Sequence, residues 1–215
     1  MISVLLPTLR PQLIHKAIDT LLSGTINGIE IIVIADFECP ENMPAEVKWH
    51  IQERLGIVAA INYAYTLAKG DYIFDTNDDC LIAPGALDEM VKFSKEHNDN
   101  ILITPQVYQG GIYAYYGKRF APFPFAHRSV FERINGGQGW CLDPAYHAFY
   151  SDPDISMQGW AKGIRTEECP TAIIHGNSYI DEVNRDNHSK YRDADEKVFS
   201  DRYGNDFAET WGRIY

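Results

Sequence analysis

No apolar run in the 215 residues approaches the ~20 that a membrane-spanning helix needs. The opening stretch Met1 to Leu6 is apolar but short, lacks a basic lead and ends at Pro7, so no signal peptide is expected. Cysteine is sparse: Cys39, Cys80, Cys141 and Cys169 are widely spaced and form no C-x-x-C. That spacing speaks against a zinc site or a disulfide framework and for free thiols in a reducing, cytoplasmic compartment. Cations are in the minority, with 19 Lys and Arg against 30 Asp and Glu and a net charge of −11. Such a chain is a poor general nucleic-acid binder, and any phosphate it holds needs a few placed cations or a metal ion. Neither G-x-x-x-x-G-K nor G-x-G-x-x-G occurs, which argues against P-loop nucleotidases and dinucleotide enzymes. No internal repeat or low-complexity linker interrupts the chain.

What remains is a globular composition, 45% hydrophobic and 23% charged, able to build one sizeable core. The first half alternates strand and helix signals. Ile2–Leu6, Ile31–Ile34, Tyr72–Phe74 and Ile101–Thr104 are short apolar runs. Between them Leu13, Ile14, Ala17, Ile18, Leu21 and Leu22 recur at helical spacing up to Gly24. Ile57, Ala60, Ile61, Ala64, Tyr65 and Ala68 do the same up to Gly70, and Pro84 opens a third helix with Leu87, Met90 and Val91 inward. Buried strands separated by helices predict a parallel sheet with right-handed crossovers, an α/β fold. Beyond about residue 105 aromatics, Pro and Gly dominate. A helix is expected from about Asp154 to Lys162, a strand at Ala172–Ile174, and a last helical pattern at Tyr191, Ala194 and Val198.

Ligands of open α/β sheets bind where the loops leave the C-terminal strand ends. Three such ends are polar here: Pro7-Thr8-Leu9-Arg10, Ala35-Asp36 and Asp75-Thr76-Asn77-Asp78-Asp79. Their convergence suits a nucleotide-type ligand. The last holds three carboxylates in five residues, which repel unless a cation lies among them. Mg²⁺ or Mn²⁺ would take one or two of them together with substrate phosphates; the other reading is an exposed acidic turn.

Taken in order, these motifs resemble the family 2 glycosyltransferases. Ile2-Ser3-Val4-Leu5-Leu6-Pro7-Thr8 is similar to that family's opening strand, and Ile32-Val33-Ile34-Ala35-Asp36 to its second. Gly56 to Asn62, followed by Ala68-Lys69-Gly70-Asp71-Tyr72-Ile73, resembles the helix leading into its metal-bearing strand. Asn77-Asp78-Asp79-Cys80-Leu81 resembles the D-x-D segment, with Asn77 in place of the first Asp. Downstream, Phe149-Tyr150-Ser151-Asp152-Pro153-Asp154-Ile155 is similar to the segment with the catalytic Glu-Asp pair, Ser151 standing where Glu is common. Ile174-His175-Gly176-Asn177-Ser178 resembles a late strand end whose His serves near the metal or diphosphate.

The resemblance implies a GT-A fold: a mixed, mostly parallel Rossmann-like sheet flanked by helices in a single domain. It places a nucleotide-binding half at 1–105, an acceptor and catalytic half at 106–180, and a lid or packing extension at 181–215. It implies metal-dependent sugar transfer, with inversion, from a UDP- or TDP-type donor to an acceptor hydroxyl. Asp152 is then the base, and its alternative is to cap the following helix. Asp79 and His175 are the metal candidates for Mn²⁺ or Mg²⁺, His175 alternatively being structural. Pro7, Thr8, Arg10, Asp36, Asn62, Asn77 and Asp78 are the donor-binding candidates. Asp36 would accept from a base N–H or simply close a strand-end turn, Arg10 would line the ribose or sit on the surface, and Asp78 would face the sugar or ribose.

Three features fit two roles each. The aromatics of 111–125 suit a sugar-binding surface or plain packing. Tyr203, Phe207, Trp211 and Tyr215 recur every four residues as a packing stripe or partner site. Asp181 to Asp195 suits a lid over the donor or a solvated tail. Two rivals stand against transfer: a degenerate domain that binds a nucleotide sugar without turnover, kept open by Ser151, and a sugar-phosphate nucleotidyltransferase, which usually carries a basic Gly-rich loop absent after the first strand.

Overall fold

In the computed structural model, residues 1–114, 120–176 and 181–204 are described. Strand β1 (Ile2–Thr8) leads through helix α1 (Ile14–Ser23) to β2 (Ile29–Ala35) and β3 (Val47–Ile51). Helix α2 (Ile57–Leu67), β4 (Tyr72–Asp75), β5 (Cys80–Ile82) and α3 (Ala86–Glu96) follow. The second half comprises β6 (Ile101–Gln109), β7 (Ile112–Ala114), β8 (Phe125–His127), α4 (Arg128–Asn135), α5 (Ser151–Ala161), β9 (Arg165–Gly176) and α6 (Glu182–Tyr203).

One sheet runs in the order β3-β2-β1-β4-β8-β6-β9-β5, with β7 paired to β6. The segment β3-β2-β1-β4 is wholly parallel, as the alternation of strands and helices predicts. Beyond β4 the sheet is mixed: β8 and β5 run antiparallel to their neighbours, whereas β6 and β9 are parallel.

Alternate strand residues face opposite sides, and helices cover both. Val4, Leu6, Ile31 and Val33 pack with Ile14, Ile18 and Leu21 of α1 and with Leu87 and Met90 of α3. Leu5, Ile32 and Ile34 pack with Val58 and Ile61 of α2, Phe131 and Ile134 of α4, Ile155 of α5 and Phe199 of α6. Burial on both faces is why the N-terminal strands read as unbroken apolar runs.

The departures from expectation lie mainly in short strands and late elements. β3, β5, β7, β8 and α4 carried no separate sequence signal, and β9 begins at Arg165, well before Ala172. Helix α5 starts at Ser151, so Asp152 lies inside its first turn; the N-cap is Tyr150, in left-handed conformation at φ 62°. This corrects the capping alternative for Asp152. In α6 the buried residues are Asp195 and Phe199, whereas Ala194 is exposed. A buried acid in the face was invisible to a search for apolar spacing. Tyr115 and Tyr116 of the aromatic stretch, Asn177 and Ser178, and Phe207, Trp211 and Tyr215 of the stripe lie outside the described residues.

Candidate active site

The C-terminal ends of β1, β2 and β4 open onto one cavity. Pro7, Thr8, Arg10, Asp36, Asn77, Asp78 and Asp79 all line it. Seven of the ten candidate site residues named from the sequence are thus brought together by adjacent parallel strands. Asp36 stands exposed as the first residue beyond β2 and lines the cavity. Gln52, Glu53, Arg54 and Leu55, between β3 and α2, complete the wall opposite the acids. They carry no motif, and β3 before them is a five-residue strand with no buried apolar run to mark it.

Arg10 and Asp78 form the buried floor, 7% and 3% exposed. Arg10 Nη1 donates to Asp78 Oδ1 at 2.7 Å, and Thr8 Oγ1 donates to Asp78 Oδ2 at 2.7 Å. Asp78 is therefore engaged within the protein, holding Thr8 and Arg10 in place, with both carboxylate oxygens already accepting. Burial by itself would lower the Arg10 pKa, but the hydrogen bond to Asp181 and the charges of Asp78 and Asp79 outweigh it, and the guanidinium is held protonated.

The cavity is roofed by the first two turns of α6. Arg10 Nε donates to Asp181 Oδ2 at 2.6 Å, and Nη2 donates to Asn184 Oδ1 at 2.7 Å. Asp181 also caps the helix, accepting from Asn184 N at 2.9 Å. Arg54 reaches the same face, donating to Asn187 Oδ1 at 3.0 Å and pairing with Asp186 at 3.0 Å. An Asp ahead of an Asn-bearing polar helix is a capping signal, and it was the clue available for Asp181.

Asp79 is differently placed. Burial, then the neighbouring Asp78, raises its carboxyl above the usual range. It also lines a second cavity of about 250 Å³, together with Asp78, Lys16 and His175. His175, exposed near the end of β9 and paired in register with Leu81, thus faces the acids from the far side. Among the described residues no three His, Cys, Asp or Glu side chains are grouped to hold a metal. One carboxylate with a nearby His fits a Mg²⁺ or Mn²⁺ ion shared with substrate phosphates and does not fit a preformed protein cage.

Asn62 is not part of the cavity. Its Oδ1 accepts from the backbone N–H groups of Cys141 and Leu142 at 2.8 and 2.9 Å, and its Nδ2 donates to Leu142 O at 2.8 Å. The amide is used up in pinning the 141–142 turn against α2.

Asp152 also stands apart from the cavity lining. It is half-buried in the first turn of α5, and burial pushes its carboxyl up to about 7. The buried Asp75 at the end of β4 lies close enough to feel its charge, and both carboxyls rise, Asp75 first through desolvation and then through Asp152. Asp75 was visible in the acidic cluster but carried no expected role.

The segment leading to Asp152 is fixed from α6. Asp195, fully buried, accepts from the backbone N–H groups of His147, Ala148 and Phe149 at 3.0, 2.8 and 2.8 Å and bonds His147 Nδ1 at 3.0 Å. The His147 ring stacks on Tyr191, with centroids 5.2 Å apart. On the other side His147 O accepts from Val58 N at 3.0 Å. Gly56 permits this approach: it has φ +100°, and a Cβ there would lie 2.7 Å from His147 O. Farther along α6, Tyr203 Oη and Arg202 Nη1 donate to Asp154 Oδ1 at 2.8 and 3.1 Å.

No curated protein matches the chain in sequence. Among solved structures it is similar to S. aureus TarS, with TM-score 0.66 and 13% identity over 82% of this chain and 36% of that one. It is also similar to GalNAc-T7 with UDP, GalNAc and Mn²⁺, with TM-score 0.67 and 16% identity over 84% and 44%. S. aureus TarS 1–349 in complex with UDP-GlcNAc matches at TM-score 0.63 and 15% identity over 84% and 59%. The chain spans between about a third and three fifths of these structures, and at such identities the likeness establishes the GT-A fold. No helix among the described residues is long and apolar enough to cross a membrane. A family model described as glycosyl transferase family 2 matches residues 3–149, most of the chain, and the chain belongs to that family.

Proposed function

We propose that the protein transfers a sugar, with inversion, from a nucleotide diphosphate sugar of the UDP or TDP type to an acceptor hydroxyl. The observation that carries this reading is the convergence of Thr8, Arg10, Asp36, Asn77 and Asp79 on one cavity at parallel strand ends. The similar structures with UDP, GalNAc and Mn²⁺ and with UDP-GlcNAc support a uridine donor, a hexosyl-type sugar and a divalent ion.

Each residue then has a task. The Asp36 carboxylate accepts from the N3–H of uracil or thymine. Pro7 and Thr8 form the floor beneath the nucleoside, and Asn77 offers its amide toward the sugar. Arg10, held protonated, supplies a fixed positive charge beside the diphosphate. Asp79 and His175 would hold Mn²⁺ or Mg²⁺, which when bound neutralises the departing diphosphate. Asp152 takes the proton of the acceptor hydroxyl, and a carboxyl raised to about 7 is matched to that work near neutral pH.

Residues 1–105 act as the donor half and 106–180 as the catalytic half, with α6 as roof and brace. The four cysteines are free thiols, in keeping with a cytoplasmic setting. One observation favours the rival of a non-catalytic binder: with Asp78 engaged by Thr8 and Arg10, the loop keeps Asp79 as its one acid for a metal. A panel of UDP- and TDP-sugars, followed for nucleotide release and sugar transfer, separates the two. Transfer lost in Asp152→Asn with nucleotide binding intact supports the enzyme; binding without turnover of any donor by the wild type supports the rival.

A further inference from the structure

A third cavity, of about 490 Å³, lies between α6 and the turn before α5. Ligand sites commonly fall within ~300–1,000 Å³. It adjoins the donor cavity, sharing Ile57, Asn77, Asn184 and Asn187 with it. Its remaining walls are Ala148, Phe149, Arg185 and His188. It therefore runs from Asn77, on the donor side, to residues three and four positions ahead of Asp152 in the chain. A hydroxyl acceptor attacking a donor sugar has to enter such a space, with the base on one side and the donor on the other.

We propose that this cavity binds the acceptor and that the acceptor is a saccharide bearing a carboxylate or phosphate group. The assignment rests on the transferase reading and adds to it the acceptor's class.

The polar groups of the cavity are oriented by their neighbours. Asn187 Oδ1 accepts from Arg54, and Asn184 Oδ1 accepts from Arg10. Both amides thus have their acceptor ends occupied, and Asn187 is left with Nδ2 hydrogens to offer. His188 Nε2 lies 3.3 Å from Arg192 Nη1, within reach to accept from it. The Arg185 guanidinium enters no hydrogen bond or ion pair among the described residues.

Among the described residues the lining contains no carboxylate. Two of the three acids nearest Arg185 on α6 and its cap are committed, Asp181 to Arg10 and Asp186 to Arg54 and Lys190; the third, Glu182, is exposed and does not line the cavity. In a chain of net charge −11, this surface next to the donor cavity offers, among the described residues, mainly donors and one cation without an ion-pair partner. An anion satisfies such a set with charge-assisted hydrogen bonds, whereas a neutral glycan would leave the exposed guanidinium to water. The Phe149 ring, set edge-on to His188 at 5.8 Å, gives the apolar wall on which a sugar face can rest.

The test is a glycan array holding carboxylate-bearing, phosphate-bearing and neutral saccharides. It is probed with wild type, Arg185→Ala and Arg185→Lys in the presence of UDP and Mn²⁺, beside a single-stranded oligonucleotide. UDP affinity is measured on each variant. Arg185 is exposed, so neither substitution threatens folding. The expected result is retention of acidic glycans and a loss of at least ~tenfold in Arg185→Ala, the scale of one charge-assisted hydrogen bond. Arg185→Lys should recover part of the loss, and UDP affinity should not change. Equal retention of neutral glycans, no retention of acidic ones, preference for the oligonucleotide, or a loss of UDP affinity in Arg185→Ala would each overturn the assignment. Failure of wild type to bind UDP at all would instead strike at the transferase reading.

Discussion

The strand-end cavity and the turn that leads to Asp152 are built by opposite means. Thr8, Asp36 and Asp79 stand at or just past the ends of β1, β2 and β4, and strands buried on both faces carry them to one rim. Asp152 owes its place to α6, whose Asp195 reaches back across more than forty residues to hold His147, Ala148 and Phe149 by their N–H groups. One region is positioned by the sheet and the other by a brace. They should therefore fail separately: damage to the brace should cost turnover and stability while leaving nucleotide binding alone.

The largest effect is expected at Asp152. Asp152→Asn should lower turnover about 10²–10⁴-fold, the usual contribution of a general base, with UDP affinity unchanged. In the wild type, turnover should climb with pH and level off above about 7, where the base is ionised. Stability moves the other way. The folded carboxyl, at about 7, lies above its ordinary value of 3.8, so the folded state holds a proton that the unfolded state releases. The stabilisation is complete below the lower value and is lost as pH rises toward the higher one. Asp152→Asn should accordingly raise stability over wild type at pH 8 by ~2 kcal/mol, allowing for partial solvation, and leave it unchanged near pH 4. Thermal melts at the two pH values check the sign.

Next comes the brace itself. Asp195→Ala removes the acceptor of three part-buried backbone donors and should cost ~3 kcal/mol in denaturant unfolding. At a temperature where the variant is folded, kcat should fall while the donor Kd holds. An equal loss in both would mean that α6 organises the whole site and would erase the contrast between the regions.

A smaller effect is expected at Asn62. Asn62→Ala releases the 141–142 turn and should cost ~2 kcal/mol of stability without changing UDP affinity. Weakened UDP binding with unchanged stability would return Asn62 to the donor site.

The contrast also explains what could be read in the sequence. The strand-end cavity was legible because its polar residues follow closely on apolar runs, so order along the chain maps onto position in space. Pro7, Thr8, Arg10, Asp36, Asn77, Asp78 and Asp79 meet as that order implies. Asn62 misled because helix α2 was read correctly while the direction of its amide depends on a turn 80 residues away. Asp195 could not be found by periodicity, since its partners are backbone groups that leave no mark in the sequence. Arg54 and Asn187 meet only because α6 folds back over the β3–α2 loop. β5 and β8 are three-residue strands whose pairing is set by neighbours distant in sequence, too short to carry a pattern of their own.

The central claim is that the strand-end cavity binds a nucleotide diphosphate with a metal held by Asp79. Its most direct test is calorimetric titration of UDP and TDP, with and without Mn²⁺, into wild type and Asp79→Ala. The account predicts binding that Mn²⁺ strengthens and that Asp79→Ala largely abolishes. Binding of neither nucleotide by folded wild type, or equal affinity with and without Mn²⁺ in both proteins, would contradict it.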